Sequence, residues 1–436
     1  MNGKIHKAAA VWFAAIITSQ LSATRVGLAG VSLGTPIPYS VQALPTWAAA
    51  SDLNGDTWAD LVVTNNQSNS VSVLLNNGDG TFAAAVNYSV GFGPFGMAIG
   101  DVDGDNARDL VIARNDSHEV AVLINNGAGA FSSPIGYAVG QTPRAVAVGL
   151  LNADPYPDIA VANRDSNDVS ILRNLGTGGF APAVHYPACT DLRDIAIGDL
   201  DGDGDGDLFL TCKDDDDVAI LWNLGVGTFS SPTVLPLGAG YSPDAVCLSD
   251  LDGDDDLDLA ACGALGVGGF VAVLENLGNG SFSSPAYSTV EAGPVALKTA
   301  DLDRDGDNDL TTSNELGMSV SVLVNNGAGQ FPQVVHFAVG PNPYYIAVGD
   351  WDADGDFDFA VPNSSEAVLS VVVNQTPASG DIDGDGDIDL SDSALFVNVL
   401  LGLETDPELV TRSDLNDDGL TDGADVMRLV GFLVAT

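Results

Sequence analysis

The chain has 436 residues, 60 of them acidic and 14 basic, and carries a formal charge of −46 at pH 7. A charge of that sign and size repels nucleic-acid phosphates and anionic membrane surfaces, so neither is an expected partner. Hydrophobic residues make up 45 %, enough to bury a large core, which excludes wholesale disorder.

Residues 1–30 read as a secretory signal peptide, with Lys4 and Lys7 ahead of the short apolar run AAAVWFAAII (Ala8 to Ile17) and small residues after it. That run is too short to span a bilayer, and no other stretch reaches the about 18 apolar residues a span needs. The expected location is outside the cell or on its surface.

From there the chain repeats itself. Acidic stretches begin at Asp52, Asp101, Leu150, Asp199, Asp250, Asp301 and Asp350, 49 to 51 residues apart. A period of that size marks a propeller, a solenoid or an array. In each unit an apolar run such as MAIG leads into the acidic stretch, and a second (DLVIA) and third (EVAVLINN) follow. A glycine hairpin signal such as NNGAGAF and a fourth run, SPIGYAVG, complete the unit. Short runs rich in Val, Ile and Ala, bounded by Asn and Gly, predict strands. Four strands in each of seven units predict a mainly β fold, a seven-bladed β-propeller over residues 31–374. The last unit lacks its fourth run, while TPIPYSV (Thr35 to Val41) near the start matches SPIGYAV (Ser133 to Val139). The N-terminal strand is therefore expected to complete the last blade, removing exposed sheet edges.

The acidic stretch follows D-x-[DN]-x-D-x-x-x-D, so that oxygens at its first, third, fifth and ninth places can meet on one ion. Hard oxygen ligands on a flexible loop suit Ca²⁺. The expected ligands are Asp52, Asn54, Asp56 and Asp60; Asp101, Asp103, Asp105 and Asp109; Asp199, Asp201, Asp203 and Asp207; and Asp250, Asp252, Asp254 and Asp258. Asp301, Asp303, Asp305 and Asp309, then Asp350, Asp352, Asp354 and Asp358, complete the series. The third copy, LLNADPYPD, loses its first ligand to Leu150 and carries Pro155 and Pro157, so it is expected to bind weakly or not at all. These units resemble the FG-GAP/VCBS repeat, the blade of integrin-α-like propellers. The resemblance implies structural calcium that pins the turn between the first two strands of each blade.

After a linker at 375–380 the pattern changes over residues 381–436. Two twelve-residue loops, each followed by an amphipathic helical pattern, carry EF-hand chemistry. Their ligands would be Asp381, Asp383, Asp385, Asp389 and Asp392, and Asp414, Asn416, Asp418, Asp422 and Asp425. Two loop–helix halves ending in Asp resemble a type I dockerin, a small α-helical calcium module, and imply a cohesin-like partner. The resemblance assigns partner contact to Leu390–Ser391 and Gly423–Ala424.

Four cysteines in an exported chain predict disulfides, with Cys189–Cys212 and Cys247–Cys262 favoured because each pair lies in one blade. No GxSxG, HExxH or phosphate-cradling loop is present. A proline seven residues ahead of the acidic stretch recurs in every unit but the fourth, and the residue after it varies: Thr46, Phe95, Arg144, Arg193, Asp244, Val295, Tyr344. These are expected to ring the central mouth, at the opposite end from the calcium loops, with Phe95, Arg144, Arg193 and Tyr344 as the ligand contacts. The expected function is non-catalytic binding or adhesion toward a protein or glycan, with docking through the tail. The alternative is a carbohydrate-active enzyme, a polysaccharide lyase or hydrolase, working on a propeller face.

Overall fold

The computed structural model describes residues 26–28, 31–278 and 280–376, together with Leu395, Phe396, Asn398, Val399, Leu409 and Ser413. The leader through residue 25 and the loops at 381–392 and 414–425 lie outside the described residues.

Blade two shows how sequence becomes strand. Its inner strand is Pro94–Gly100, followed by Asp109–Arg114, Glu119–Leu123 and the outer strand Ile135–Ala138. The two middle strands are buried on both faces because a blade is sandwiched between neighbours, which is why they read as continuous apolar runs. The outer strand is mostly exposed. Its Tyr137 leans edge-on against Phe180 of the next blade, with ring centroids 5.4 Å apart. Between the third and fourth strands, Asn125 pairs with Phe131. Gly127 and Gly129 turn this hairpin at φ 78° and 73°, where a side chain would be strained.

Seven such four-stranded antiparallel sheets occur among the described residues. In the last, Ile37–Ser40 pairs with Val368–Val371, so the N-terminal strand does complete the final blade. Leu33 bridges Asn374 beside it. From blade seven back to blade one, the Ala48 amide donates to the Tyr345 carbonyl at 3.0 Å, and the Trp47 and Tyr345 rings stack at 3.6 Å.

The first Asn of each hairpin clasps the blade before it. Asn125 Nδ2 donates to the Leu53 carbonyl at 2.8 Å. Asn174, Asn223, Asn276, Asn325 and Asn374 repeat the bond around the ring. Asn76, in blade one, reaches the Trp351 carbonyl of blade seven and closes the circle. The sequence pattern had suggested a role only for the glycines here.

Cys189 and Cys212 form a disulfide with Cα atoms 5.4 Å apart. The expected Cys247–Cys262 bridge is not formed, and both thiols are buried and free. Cys262 lies opposite Ala245 and Cys247 opposite Ala260, so the two are diagonal neighbours. Diagonal pairs sit roughly 7–8 Å apart, beyond the about 7 Å that a disulfide can bridge. Cys189 instead lies outside the ladder, ahead of Leu192, and is free to fold over Cys212.

Candidate functional site: acidic loops and the axial cluster

Each acidic loop is wound by its own carboxylates. In blade two, Asp101 accepts from the amides of Gly104 (2.7 Å) and Asn106 (2.9 Å), and Asp105 accepts from Ala107 (2.8 Å). The fourth and sixth places, Gly104 and Asn106, take positive φ values of 86° and 71°, which Gly and Asn tolerate best. Asp109, at the ninth place and fully buried, accepts from Val102 at 2.9 Å and from Asn125 at 2.8 Å. The same carboxylate therefore ties the loop to the hairpin whose Asn clasps the neighbouring blade.

This winding gathers oxygens. Asp101, Asp103 and Asp109 each place one ligand atom within 4.8 Å of the others, as do Asp301, Asp303 and Asp309, and Asp350, Asp352 and Asp358. In blades four and five the triads are Asp199, Asp201 and Asp203, and Asp250, Asp252 and Asp254. Asp105, Asp305, Asp354, Asp207 and Asp258 stand outside these triads. In the first loop no three carboxylates come that close; Asn54 Nδ2 donates to Asp56 at 2.8 Å. In the third, Asn152 Nδ2 donates to Asp158 at 2.7 Å.

The donor set fits a hard cation. Asp252 Oδ1 and Asp352 Oδ1, both at third places, are buried oxygens without a hydrogen-bond partner, which a metal would satisfy. Burial pushes the ninth-place carboxyls up against their amide hydrogen bonds, to about 6 at Asp109, Asp207 and Asp258 and about 7 at Asp309. Burial, reinforced by Asp309, Asp305 and Asp301, also drives Asp303 well above the usual carboxylate range. A divalent ion would reverse both effects.

At the opposite end of the inner strands, the varying residues do not form an open rim. Phe95 and Arg144 are only 7 % and 6 % exposed. A β-bulge follows the proline position in blades one to six, and a bulge re-aims the side chains beside it. The Arg144 guanidinium lies 4.3 Å over the Phe95 ring and 3.4 Å from the Tyr344 hydroxyl. Phe95 meets Tyr344 edge-on at 5.7 Å. These three of the four predicted contacts thus form one packed plug. Arg193 joins a separate charged network, bonded to Asp191 at 2.6 Å and 3.9 Å from Asp244.

A closed ring of seven four-stranded blades, with an acidic loop at the end of each inner strand, defines a seven-bladed β-propeller. The chain belongs to the FG-GAP-like repeat family, which matches residues 52–112, 151–210, 199–261 and 301–361. Residues 379–433 match the type I dockerin domain, a calcium-binding, typically extracellular module that implies a cohesin-type protein partner. Among solved structures, virginiamycin B lyase from Staphylococcus aureus is similar at 13 % identity and TM-score 0.54, covering 78 % of this chain and 99 % of that one. The BBS1N–ARL6DN complex is similar at 15 % identity and TM-score 0.55, over 78 % and 96 % of the two chains. Likenesses at these identities establish the fold alone. No curated protein sequence matches the chain. Among the described residues no helix is long and apolar enough to cross a membrane.

Proposed function

We propose that the chain is an exported, calcium-loaded binding protein that performs no chemistry of its own. Its propeller holds a protein or glycan ligand, and its tail docks the whole to a cohesin-type partner. The observation that carries this reading is a type I dockerin match at residues 379–433 behind a propeller that closes on its own N-terminal strand. A ring closed in that way needs nothing from the tail, which is left to engage a partner.

Calcium in this reading is structural. It sits among the gathered loop carboxylates of the blades and, in the tail, in the loops at 381–392 and 414–425. Residues 1–30 act as the export signal and leave the mature chain.

The test is surface plasmon resonance of the full chain over a panel of immobilised cohesins, with calcium and then with excess chelator. Calcium-dependent capture by at least one cohesin is expected. Capture that ignores the chelator, or no capture by any cohesin, overturns the docking role. A glycan array probed in the same two conditions tests the propeller, where calcium-dependent signals support a glycan ligand.

A further inference from the structure

The inner strands of all seven blades enclose a well of about 510 Å³ on the propeller axis. Its walls are chiefly small and aliphatic side chains, and Trp47, stacked on Tyr345, lines it toward the plugged end. Four residues after the recurrent proline position five blades carry alanine: Ala49, Ala98, Ala147, Ala196 and Ala347. Blades five and six put Cys247 and Lys298 there instead. Two places earlier in the strand, blade four has Asp194, where its sisters carry Trp47, Gly96, Ala145, Ala245, Ala296 and Tyr345. The three departures from the repeat fall on adjacent blades, and all three residues line the well.

Their chemistry is unequal. Asp194 is 7 % exposed and already committed, accepting from the amides of Ile195 at 2.9 Å and Val246 at 3.2 Å. Burial pushes its carboxyl up to about 6, while Lys298 pulls the other way. Burial holds Cys247 as a neutral thiol, pushed up to about 12, so it is wall rather than nucleophile. Lys298 differs from the neighbouring cations: Arg193 and Lys213 pair directly with carboxylates, and Arg144 is held by the Phe95 ring and the Tyr344 hydroxyl. The Lys298 ammonium feels Asp194 across the well but makes no hydrogen bond or ion pair of its own among the described residues.

Lys298 is half-buried on the wall of the well, so its ammonium can reach a ligand held there without first breaking a hydrogen bond to the protein. We propose that the axial well binds a small organic anion, a carboxylate on an apolar body, with Lys298 as the partner of the carboxylate and the alanine-rich wall around the body. The volume falls within the about 300–1,000 Å³ of small-molecule sites, which combine apolar walls with a few placed polar groups. A polymer would not fit inside, so this site is distinct from the protein or glycan surface proposed above.

Isothermal titration calorimetry on the full, calcium-loaded chain would compare benzoate and phenylacetate with their neutral amides, benzamide and phenylacetamide. The acids are expected to bind at least about tenfold more tightly than the amides, the scale of one charge-assisted hydrogen bond. Lys298→Ala installs the residue that five sister blades carry here, so the fold is retained, and the preference for acids should vanish. Lys298→Gln serves as the second neutral variant and should lose it too, while Lys298→Arg keeps it. Acids and amides binding alike, acids binding Lys298→Ala as well as the unmodified chain, or no heat from any acid up to its solubility limit would each overturn the proposal.

Discussion

Replacing Asn125 by alanine tests the idea that a chain of asparagine clasps holds the ring shut. Asn125 is 1 % exposed. Its Nδ2 donates to the Leu53 carbonyl of blade one at 2.8 Å and to the Arg108 carbonyl of its own blade at 3.0 Å. Its Oδ1 accepts from the Gly127 amide at 3.1 Å. Asn125→Ala removes all three bonds. The Leu53 carbonyl keeps a second donor, the Gly129 amide at 2.8 Å, so it is not orphaned and the cost stays near the sum of three ordinary bonds. At about 1 kcal/mol each, the loss is about 3 kcal/mol. For a domain of this size that lowers the melting temperature by roughly 6 °C, at about 2 °C per kcal/mol. The neighbouring Asn126 is exposed, and its Oδ1 accepts only from the turn amides of Ala128 and Ala130. Asn126→Ala should therefore cost less than about 0.5 kcal/mol. Calorimetry of both variants in saturating calcium decides the matter. Equal melting temperatures for the two, or an Asn125→Ala protein as stable as the unmodified chain, would refute the clasp.

Three further outcomes follow from the same geometry. Without calcium, the ninth-place carboxyls, held at about 6 to 7 in blades two, four, five and six, bind protons more tightly folded than unfolded. Their penalty is full above those values and gone below the ordinary value of 3.8, so melting temperature in chelator should rise as pH falls from about 8 toward 5. With calcium the trend reverses, because the ion needs ionised ligands, and a chelated protein that melts lower at pH 5 than at pH 8 would contradict this. Truncation through Val41 removes Ile37–Ser40 and bares the Val368–Val372 edge, so light scattering should report aggregation; truncation through residue 30 should not. Denatured but unreduced protein should titrate two thiols, Cys247 and Cys262, and reducing Cys189–Cys212, separated by 23 residues, should cost about 3 kcal/mol.

The repeat, the strands, the hairpins and the strand-completed last blade were all legible in the sequence. Each rests on local chemistry: glycine where φ is positive, unbroken apolar runs where both faces are covered, and a run missing at one end and present at the other. The winding of the acidic loops was legible for the same reason, since Asp and Gly at these spacings fold a turn onto its own amides. Which oxygens meet was not, because Asp109 is positioned by Val102 and by Asn125 of a later hairpin.

What happens on the axis was decided by tertiary structure alone. Phe95, Arg144 and Tyr344 come from three different blades, and the burial of Phe95 and Arg144 against the half-buried Tyr344 follows bulges that no pattern of residue types announces. The Cys247–Cys262 expectation failed because disulfide geometry turns on strand register, and a diagonal pairing looks the same as a direct one along the chain. Nothing in the local sequence sets Lys298 and Asp194 together; the convergence of seven inner strands brings both to the wall of one well. A residue's place along its strand is local information, but the company it keeps at the centre of a ring comes from all the blades at once.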